Sequence, residues 1–259
     1  MSAPQVVVHA NPTLLAGSVA ARLATGLVDA QAAQGSASVV LTGGGVGIDV
    51  LRSLRDIPAC DAVDWRHVDV WWGDERFVPA ADPQRNERQA REALLDAVPV
   101  DPARVHAFPA SDGVAGDDPD AAAEWYAAEL AAAAQPEDHG PVPRFDIMLL
   151  GLGEEGHTAS IFPGSPAAYD ERPVVAVRNC PKPPPTRLTL TFPSLGAANQ
   201  VWMVAAGEGK AGAVALALGG AGWVQVPAAG AQGRSRTLWL LDRAAASKLP
   251  PSVLRLPQS

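Results

Sequence analysis

The chain of 259 residues is long enough to bury a large core, and 47% of its residues are hydrophobic against 19% that are charged. This composition excludes a disordered or collagen-like protein. The formal net charge of -8 argues against a general binder of nucleic acids or membrane surfaces, because both are anionic. An anionic small molecule is compatible with this charge only where a few basic side chains converge.

Cysteine content and hydropathy predict a cytoplasmic protein. Cys60 and Cys180 lack the spacing of a disulfide framework or a zinc site. Residues 1–10 do not contain the basic segment and apolar run of a signal peptide. No uninterrupted apolar stretch reaches the roughly 18 residues that would predict a membrane span. We therefore expect no membrane partner, and the sequence leaves the oligomeric state open.

Strands and helices alternate along the chain. The predicted strands are 6–8, 38–41, 67–72, 145–150, 174–177, 187–191, 201–206 and 237–241. The predicted helices are 12–34, 47–54, 85–97, 119–134 and 210–218. Segments rich in Gly, Pro or Asp are predicted to be disordered, together with the last few residues: 111–117, 136–143 and 221–233.

This alternation predicts the α/β class, in a three-layer fold whose largely parallel sheet is covered by helices on both faces, as in Rossmann-like proteins. The sequence contains no internal repeat and no linker between domains, so we expect residues 1–259 to form a single domain. Polar or Gly-rich motifs follow four of the predicted strands, at 42–45, 73–76, 151–158 and 207–210. Because ligands of such folds bind beyond the carboxyl ends of the strands, these loops predict one shared site.

Residues 151–156 read G-x-G-x-x-G after a predicted strand, which is the pattern of a dinucleotide-binding loop. Two features argue against a nicotinamide site. Glu154 and Glu155 place carboxylates where the pyrophosphate would lie, and Pro163 cuts short the helix that should support it. We interpret the glycines as a tight turn that presents His157.

A neutral imidazole is a natural general base near neutral pH, since its pKa lies near ~6.5. His157 follows a Gly-rich turn, and the carboxylates of Glu154 and Glu155 can orient its ring. A capping or core histidine is the alternative explanation of this residue.

Several other residues are suited to an anion. A Gly-rich turn between a strand and a helix can offer backbone N–H groups to a phosphate, although a simple tight turn is the alternative: Thr42, Gly43, Gly44 and Gly45. Lys210 begins a predicted helix, where a cation opposes the helix dipole unless an anion is bound. Arg187 enters a predicted strand, and Arg76 follows Asp74 either as a site residue or in a surface ion pair.

Taken together, four segments resemble the 6-phosphogluconolactonase family, within the larger glucosamine-6-phosphate isomerase/deaminase-like group. They are Leu-Thr-Gly-Gly-Gly at 41–45, Trp-Gly-Asp-Glu-Arg at 72–76, the segment 151–164 around His157, and Pro-Thr-Arg-Leu-Thr-Leu-Thr at 185–191. Asn86, Lys210 and Trp-Leu-Leu-Asp at 239–242 also fit the family pattern, so the resemblance spans almost the whole chain.

Two departures from related patterns are informative. In the deaminase branch, the histidine is followed by Ile-Ala-Phe-Asn-Glu, and the glutamate takes part in ring opening. Phe162 occupies that position here, which favours the lactonase branch. The family's frequent Gly-Gly-Ser-Thr-Pro loop reads Gly44-Gly45-Val46-Gly47, which leaves backbone N–H groups to bind phosphate.

The resemblance implies hydrolysis of 6-phospho-D-glucono-1,5-lactone to 6-phosphogluconate in the oxidative pentose phosphate pathway, with no cofactor and no metal. It implies that His157 activates the attacking water, that Arg76 stabilises the developing negative charge, and that Asp74 and Glu155 orient Arg76 or His157. The remaining implied site residues bind the phosphate: Thr42, Gly43, Gly44, Gly45, Arg187 and Lys210. Another sugar-phosphate isomerase or deaminase, or a non-catalytic sugar-phosphate-sensing domain, is the alternative.

Overall fold

The computed structural model describes residues 3–250 and residue 253. Within this part of the chain it contains nine strands and six α-helices, joined by turns and short 3-10 helices. The strands are β1 (Gln5–His9), β2 (Ala37–Leu41), β3 (Val68–Trp72), β4 (Asp74–Arg76), β5 (Ile147–Gly151), β6 (Val174–Val177), β7 (Arg187–Leu190), β8 (Gln200–Ala205) and β9 (Arg236–Asp242). The helices are α1 (Pro12–Gln34), α2 (Gly45–Asp56), α3 (Asn86–Ala93), α4 (Pro119–Ala133), α5 (Phe192–Leu195) and α6 (Ala211–Leu218).

Six strands form a parallel sheet in the order β1-β9-β8-β5-β2-β3. All residues of β8 after Gln200 and of β9 after Arg236 are buried, as expected for parallel strands that are covered on both faces. The predicted α/β class with a largely parallel sheet is confirmed.

The three remaining strands form a separate antiparallel sheet in the order β4-β7-β6. The sequence does not predict this second sheet, because the alternation of strands and helices along the chain suggests one largely parallel sheet that includes every strand. The turn between them contains no helix that could carry the chain across the sheet, so the two strands pair antiparallel. The register places Arg76 of β4 opposite Arg187 of β7.

Helix α1 is well specified by its ends and by its apolar face. Asn11 Oδ1 accepts the Leu14 N–H at 2.9 Å, Pro12 occupies the first turn, and Gly35 ends the helix at a φ of 82°. The helix is long and apolar enough to cross a membrane by length and composition alone. A stripe of its side chains nevertheless packs in the main hydrophobic core: Leu15, Val19, Leu23 and Leu27.

The prediction that 221–233 is disordered is wrong. Val226 and Ala228 of this segment are each only 1% exposed. The Ala228 N–H donates to Gly156 O at 3.0 Å, so the segment packs beneath the loop that carries His157. The predicted disordered segments 111–117 and 136–143 contain turns and a short 3-10 helix, and the last few residues lie outside the described part of the chain.

The chain connections locate a binding site at one edge of the parallel sheet. From β2 the chain continues through α2 to β3 on one side, whereas from β5 it continues to β8 on the other side. Strands β2 and β5 are neighbours, so the order of strands reverses between them. In open α/β sheets, such a switch point leaves a crevice beyond the carboxyl ends of the two strands.

Candidate active site

A cavity of about 470 Å³ lies at this switch point, and it is lined by the loops that follow β2, β3, β5 and β8. All the predicted site residues except Glu155 line it: Thr42, Gly43, Gly44, Gly45, Asp74, Arg76, His157, Arg187 and Lys210. The structure therefore brings the four predicted loops together. The lining also includes Asp49, Asn86 and Lys182, which were not predicted as site residues.

Two glycines of the loop after β5 determine where the His157 ring lies. The Gly153 N–H donates to His157 O at 2.8 Å, and the Gly156 N–H donates to Gly153 O at 3.0 Å. Gly156 has a φ of 95°, in the left-handed region that favours glycine. A Cβ at Gly153 would overlap His157 Nδ1, so the ring can lie here only because residue 153 has no side chain.

Opposing charges act on the half-buried His157 ring. Burial lowers the pKa of His157, the carboxylate of Glu155 raises it, and the charge of Lys182 lowers it. Nδ1 lies 3.1 Å from Glu155 Oε1, but the contact is not aligned as a hydrogen bond in this conformation. Because the pKa lies below its ordinary value of 6.5, the imidazole is neutral at pH 7 and can accept a proton.

Glu155 bridges His157 and Lys182. Its Oε1 faces His157 Nδ1, and its Oε2 accepts a hydrogen bond from Lys182 Nζ at 2.9 Å. Burial raises the pKa of the Glu155 carboxyl. Its own backbone N–H, Lys182 and His157 together have a larger opposite effect, and the resulting pKa is about 2. The side chain is therefore ionised at neutral pH, as the predicted orienting role requires.

The turn after β2 leaves the first turn of α2 accessible to a ligand. Gly44, with a φ of 83°, precedes the helix, and no side chain caps its N-terminus. A Cβ at Gly43 would overlap Asn86 Oδ1, and one at Gly47 would lie 2.8 Å from Thr42. Asn86 and Thr42 can therefore pack this closely only because these positions are glycines. The uncapped backbone N–H groups of the first turn suit an anion.

Two arginines face each other across the antiparallel sheet beside this turn. The Arg187 side chain is largely buried, and its Nε and Nη2 donate to the carbonyls of Pro184, Lys182 and Pro183 at 3.2–3.3 Å. Arg76 Nη1 donates to Gln84 O at 2.5 Å, and its buried Nε has no hydrogen-bond partner. Like charges on paired strands repel, and an anion between them removes the repulsion.

Asp74 is buried among polar partners. Ser160 Oγ donates to its Oδ2 at 2.6 Å, and Asn86 Nδ2 donates to its backbone carbonyl at 2.8 Å. Arg187 Nη1 lies 4.0 Å from Oδ2. The carboxylate thus acts most directly on Ser160 and Arg187, and its charge reaches His157 at longer range, where it raises the pKa.

Glu75 supports the site from within the core, and the sequence analysis missed it. Its carboxylate accepts the N–H groups of Arg76, Asn86 and Glu87 at 2.7–2.9 Å. Burial raises its pKa to about 7, against the opposing effects of Arg85 and of these hydrogen bonds. In β4, Glu75 faces opposite to both its neighbours. The sequence predicts residues 73–76 as a loop, so this alternation could not identify Glu75.

Cys60 and Cys180 are both buried free thiols. Among residues 3–250 and residue 253, no three His, Cys, Asp or Glu side chains form a metal-binding group.

The fold and the cavity define an α/β protein with a basic, histidine-containing ligand site at the carboxyl edge of its parallel sheet. The chain belongs to the glucosamine-6-phosphate isomerase/6-phosphogluconolactonase family, whose model matches residues 10–239. It is 59% identical to a 6-phosphogluconolactonase of Streptomyces coelicolor, over 96% of each chain. It is 50% identical to a 6-phosphogluconolactonase of Mycobacterium tuberculosis, over 95% of this chain and 98% of that one.

A solved structure agrees with these relatives. The 6-phosphogluconolactonase of Trypanosoma brucei superposes with a TM-score of 0.75 at 30% identity, over 95% of this chain and 99% of that chain. The family includes both isomerases and lactonases, so the side chains of the cavity must distinguish the two reactions.

Proposed function

We propose that the protein hydrolyses 6-phospho-D-glucono-1,5-lactone to 6-phospho-D-gluconate, a step of the oxidative pentose phosphate pathway, in the cytoplasm and without a cofactor. The observation that carries this proposal is that a neutral His157 and the cations Arg76, Arg187 and Lys210 line the same cavity. Relatives that are 50–59% identical over nearly the full chain bear the same activity in their names. The main core includes residues from Leu15 to Leu249, which supports one domain for this reaction.

The substrate phosphate occupies the turn 42–45. Backbone N–H groups at the start of α2 and the positive end of its dipole attract the phosphate. Arg187 and Lys210 supply the compensating charge, and burial together with Lys182 lowers the pKa of Lys210 in the empty site. A bound dianion removes that unfavourable interaction between the two lysines.

His157 is the general base. The imidazole nitrogen remote from Glu155, Nε2, takes a proton from a water whose oxygen attacks the lactone carbonyl carbon. The resulting imidazolium is stabilised by Glu155, 3.1 Å from Nδ1. When the tetrahedral intermediate collapses, the bond from the carbonyl carbon to the ring oxygen breaks, and Nε2 returns the proton to that oxygen.

Arg76 stabilises the negative charge that develops on the carbonyl oxygen. Its Nε is buried without a partner, and a buried donor without an acceptor is costly until a ligand supplies one. Donors aimed at developing charge are among the largest contributions to catalysis. Asp74 holds Arg187 and Ser160 in place beside this group.

The alternative of a deaminase is disfavoured by Phe162. This ring is only 5% exposed and lies in contact with His157. By the family resemblance, it occupies the position of the glutamate that assists ring opening in deaminases. An aromatic ring cannot transfer a proton, so the deaminase reaction lacks one of its groups here.

The test is acid release from freshly generated phosphorylated lactone, measured with and without the protein, each in the presence and in the absence of EDTA. We expect hydrolysis faster than the spontaneous rate, no ammonia from glucosamine 6-phosphate, and no saturable binding of NAD or NADP. Binding of 6-phosphogluconate without turnover would instead indicate a sensor. Ammonia release would indicate a deaminase, and inhibition by EDTA would contradict metal-free hydrolysis.

A further inference from the structure

Lys182 is linked to the general base through a single carboxylate. Its Nζ donates to Glu155 Oε2 at 2.9 Å, while Oε1 of the same carboxylate lies 3.1 Å from His157 Nδ1. Lys182 lines the cavity, whereas Glu155 does not. A ligand in the cavity can therefore reach Lys182 and His157, the two ends of this chain of contacts.

The same residue is also tied to the cations around the substrate anion. The backbone carbonyl of Lys182 accepts a hydrogen bond from Arg187 Nη2 at 3.2 Å, so Lys182 belongs to the turn that holds that guanidinium. Its side chain is 44% exposed and carries three donors on a flexible stem. It can exchange one acceptor for another without disturbing the core.

We propose that Lys182 is a ligand of the substrate phosphate that Glu155 holds in the empty site, and that its transfer to the phosphate couples substrate binding to the activation of His157. This proposal rests on the proposed function. In the empty site, Lys182 neutralises much of the Glu155 charge that His157 experiences. When the ammonium pairs with the phosphate, Glu155 is left to His157 alone.

The charged groups around the ring fix the direction of the effect. Glu155 and Asp74 raise the pKa of His157, and Lys182 lowers it. Near Lys210, Lys182 lowers the pKa of that residue while Glu154 and Glu155 raise it. Moving Lys182 from Glu155 to the phosphate therefore raises the basicity of His157 only when a substrate is present to use it.

The proposal is tested by steady-state kinetics of Lys182→Met and Lys182→Arg. The control is Lys248→Met, at an exposed lysine. We expect Lys182→Met to raise KM for the phosphorylated lactone about tenfold, as for one lost charged contact, and to leave KM for the unphosphorylated lactone unchanged. The acid limb of kcat/KM, which reports the free enzyme, should move to higher pH. Lys182→Arg should restore KM in part, and Lys248→Met should match the wild type.

A second measurement needs no turnover. The His157 ring resonances are titrated by NMR in the wild type and in Lys182→Met, with and without 6-phosphogluconate, and with gluconate as the ligand lacking phosphate. We expect 6-phosphogluconate to raise the pKa of His157 in the wild type. Free Lys182→Met should start from a higher pKa and show a smaller change on binding.

The two proposals fail in different ways. A wild type that does not accelerate lactone hydrolysis overturns the proposed function, whereas the NMR titration still decides the role of Lys182. Normal turnover with unchanged KM, acid limb and His157 titration in Lys182→Met overturns the role of Lys182 and leaves the lactonase function standing.

Discussion

The ring of Phe162 packs against the imidazole of His157, with ring centroids 4.5 Å apart and planes inclined by 34°. The guanidinium carbon of Arg187 lies over the same ring, 5.8 Å from its centroid. Phe162 thus contacts both the proposed base and a proposed phosphate ligand. It keeps water from one side of the base, and burial is the largest influence on the pKa of His157.

Phe162→Ala should move the acid limb of kcat/KM to higher pH, because water then reaches the imidazole and its pKa rises toward the ordinary value. Phe162→Leu keeps the site apolar and should leave the limb close to that of the wild type. Truncation of a buried Phe costs about 3–5 kcal/mol, so both variants are assayed well below their unfolding temperatures. Identical limbs in the two variants would contradict the role of burial.

His157→Ala should lower kcat by roughly 10²- to 10⁴-fold, the usual contribution of a general base. The fold should be retained, because the ring lies in a loop at the edge of the cavity. The matched control is His67→Ala, whose side chain is 52% exposed and pairs with Asp64 before β3. Turnover of His157→Ala at the wild-type level would contradict the role of His157 as general base.

Glu155→Gln should move the acid limb in the opposite direction from Phe162→Ala. Glu155 raises the pKa of His157, so its neutralisation lowers that pKa and extends activity to lower pH. The kcat at the plateau should fall about tenfold or more, since the imidazolium loses its counter-charge. The pH-rate profile of Glu155→Gln is compared with that of the control Glu154→Gln. A shift of the Glu155→Gln acid limb to higher pH would overturn this assignment.

The sequence predicts the parallel sheet and the site loops well because both depend on local patterns. Apolar runs mark the buried strands, and the Gly-rich turn of 42–45 and the loop of 151–158 directly follow two of them. Loops at the carboxyl ends of parallel strands must share an edge of the sheet. The sequence alone therefore predicts that His157 and Lys210 lie at the same site.

Contacts between distant residues are what the sequence could not predict. The Lys182–Glu155 pair joins residues 27 positions apart, and it depends on how the turn after β6 folds against the loop after β5. The burial of segment 221–233 was missed for a related reason. Its Gly- and Ala-rich composition resembles a disordered segment, but Gly156, which has no side chain, leaves room for Val226 and Ala228 to pack against the loop.

Gly153→Ala should lower kcat strongly, by about 10²-fold or more if the ring is displaced by an ångström. The added Cβ would overlap His157 Nδ1, so the imidazole must leave its position beside Glu155. The control is Gly17→Ala in α1, where a Cβ meets nothing within 4 Å and where alanine favours the helix. A Gly153→Ala enzyme with normal kcat would mean that the position of the ring is not critical.

Glu75→Ala should lower the free energy of unfolding by about 3–5 kcal/mol, as expected when one member of a buried charged cluster is removed. Three backbone N–H groups lose their acceptor, and Arg85, whose Nη2 lies 3.9 Å from Glu75 Oε2, loses its counter-charge. Glu75→Gln should cost less, because one carbonyl oxygen can still accept the N–H groups of Arg76 and Asn86, both of which donate to Oε1. Urea unfolding is measured at about pH 8.5, above the pKa of about 7 of Glu75, so that its carboxylate is ionised. The control is Glu92→Ala, whose side chain is 63% exposed and whose loss should cost less than about 1 kcal/mol. Equal stability of Glu75→Ala and Glu92→Ala would show that the buried carboxylate does not hold the Arg76 and Asn86 backbone in place.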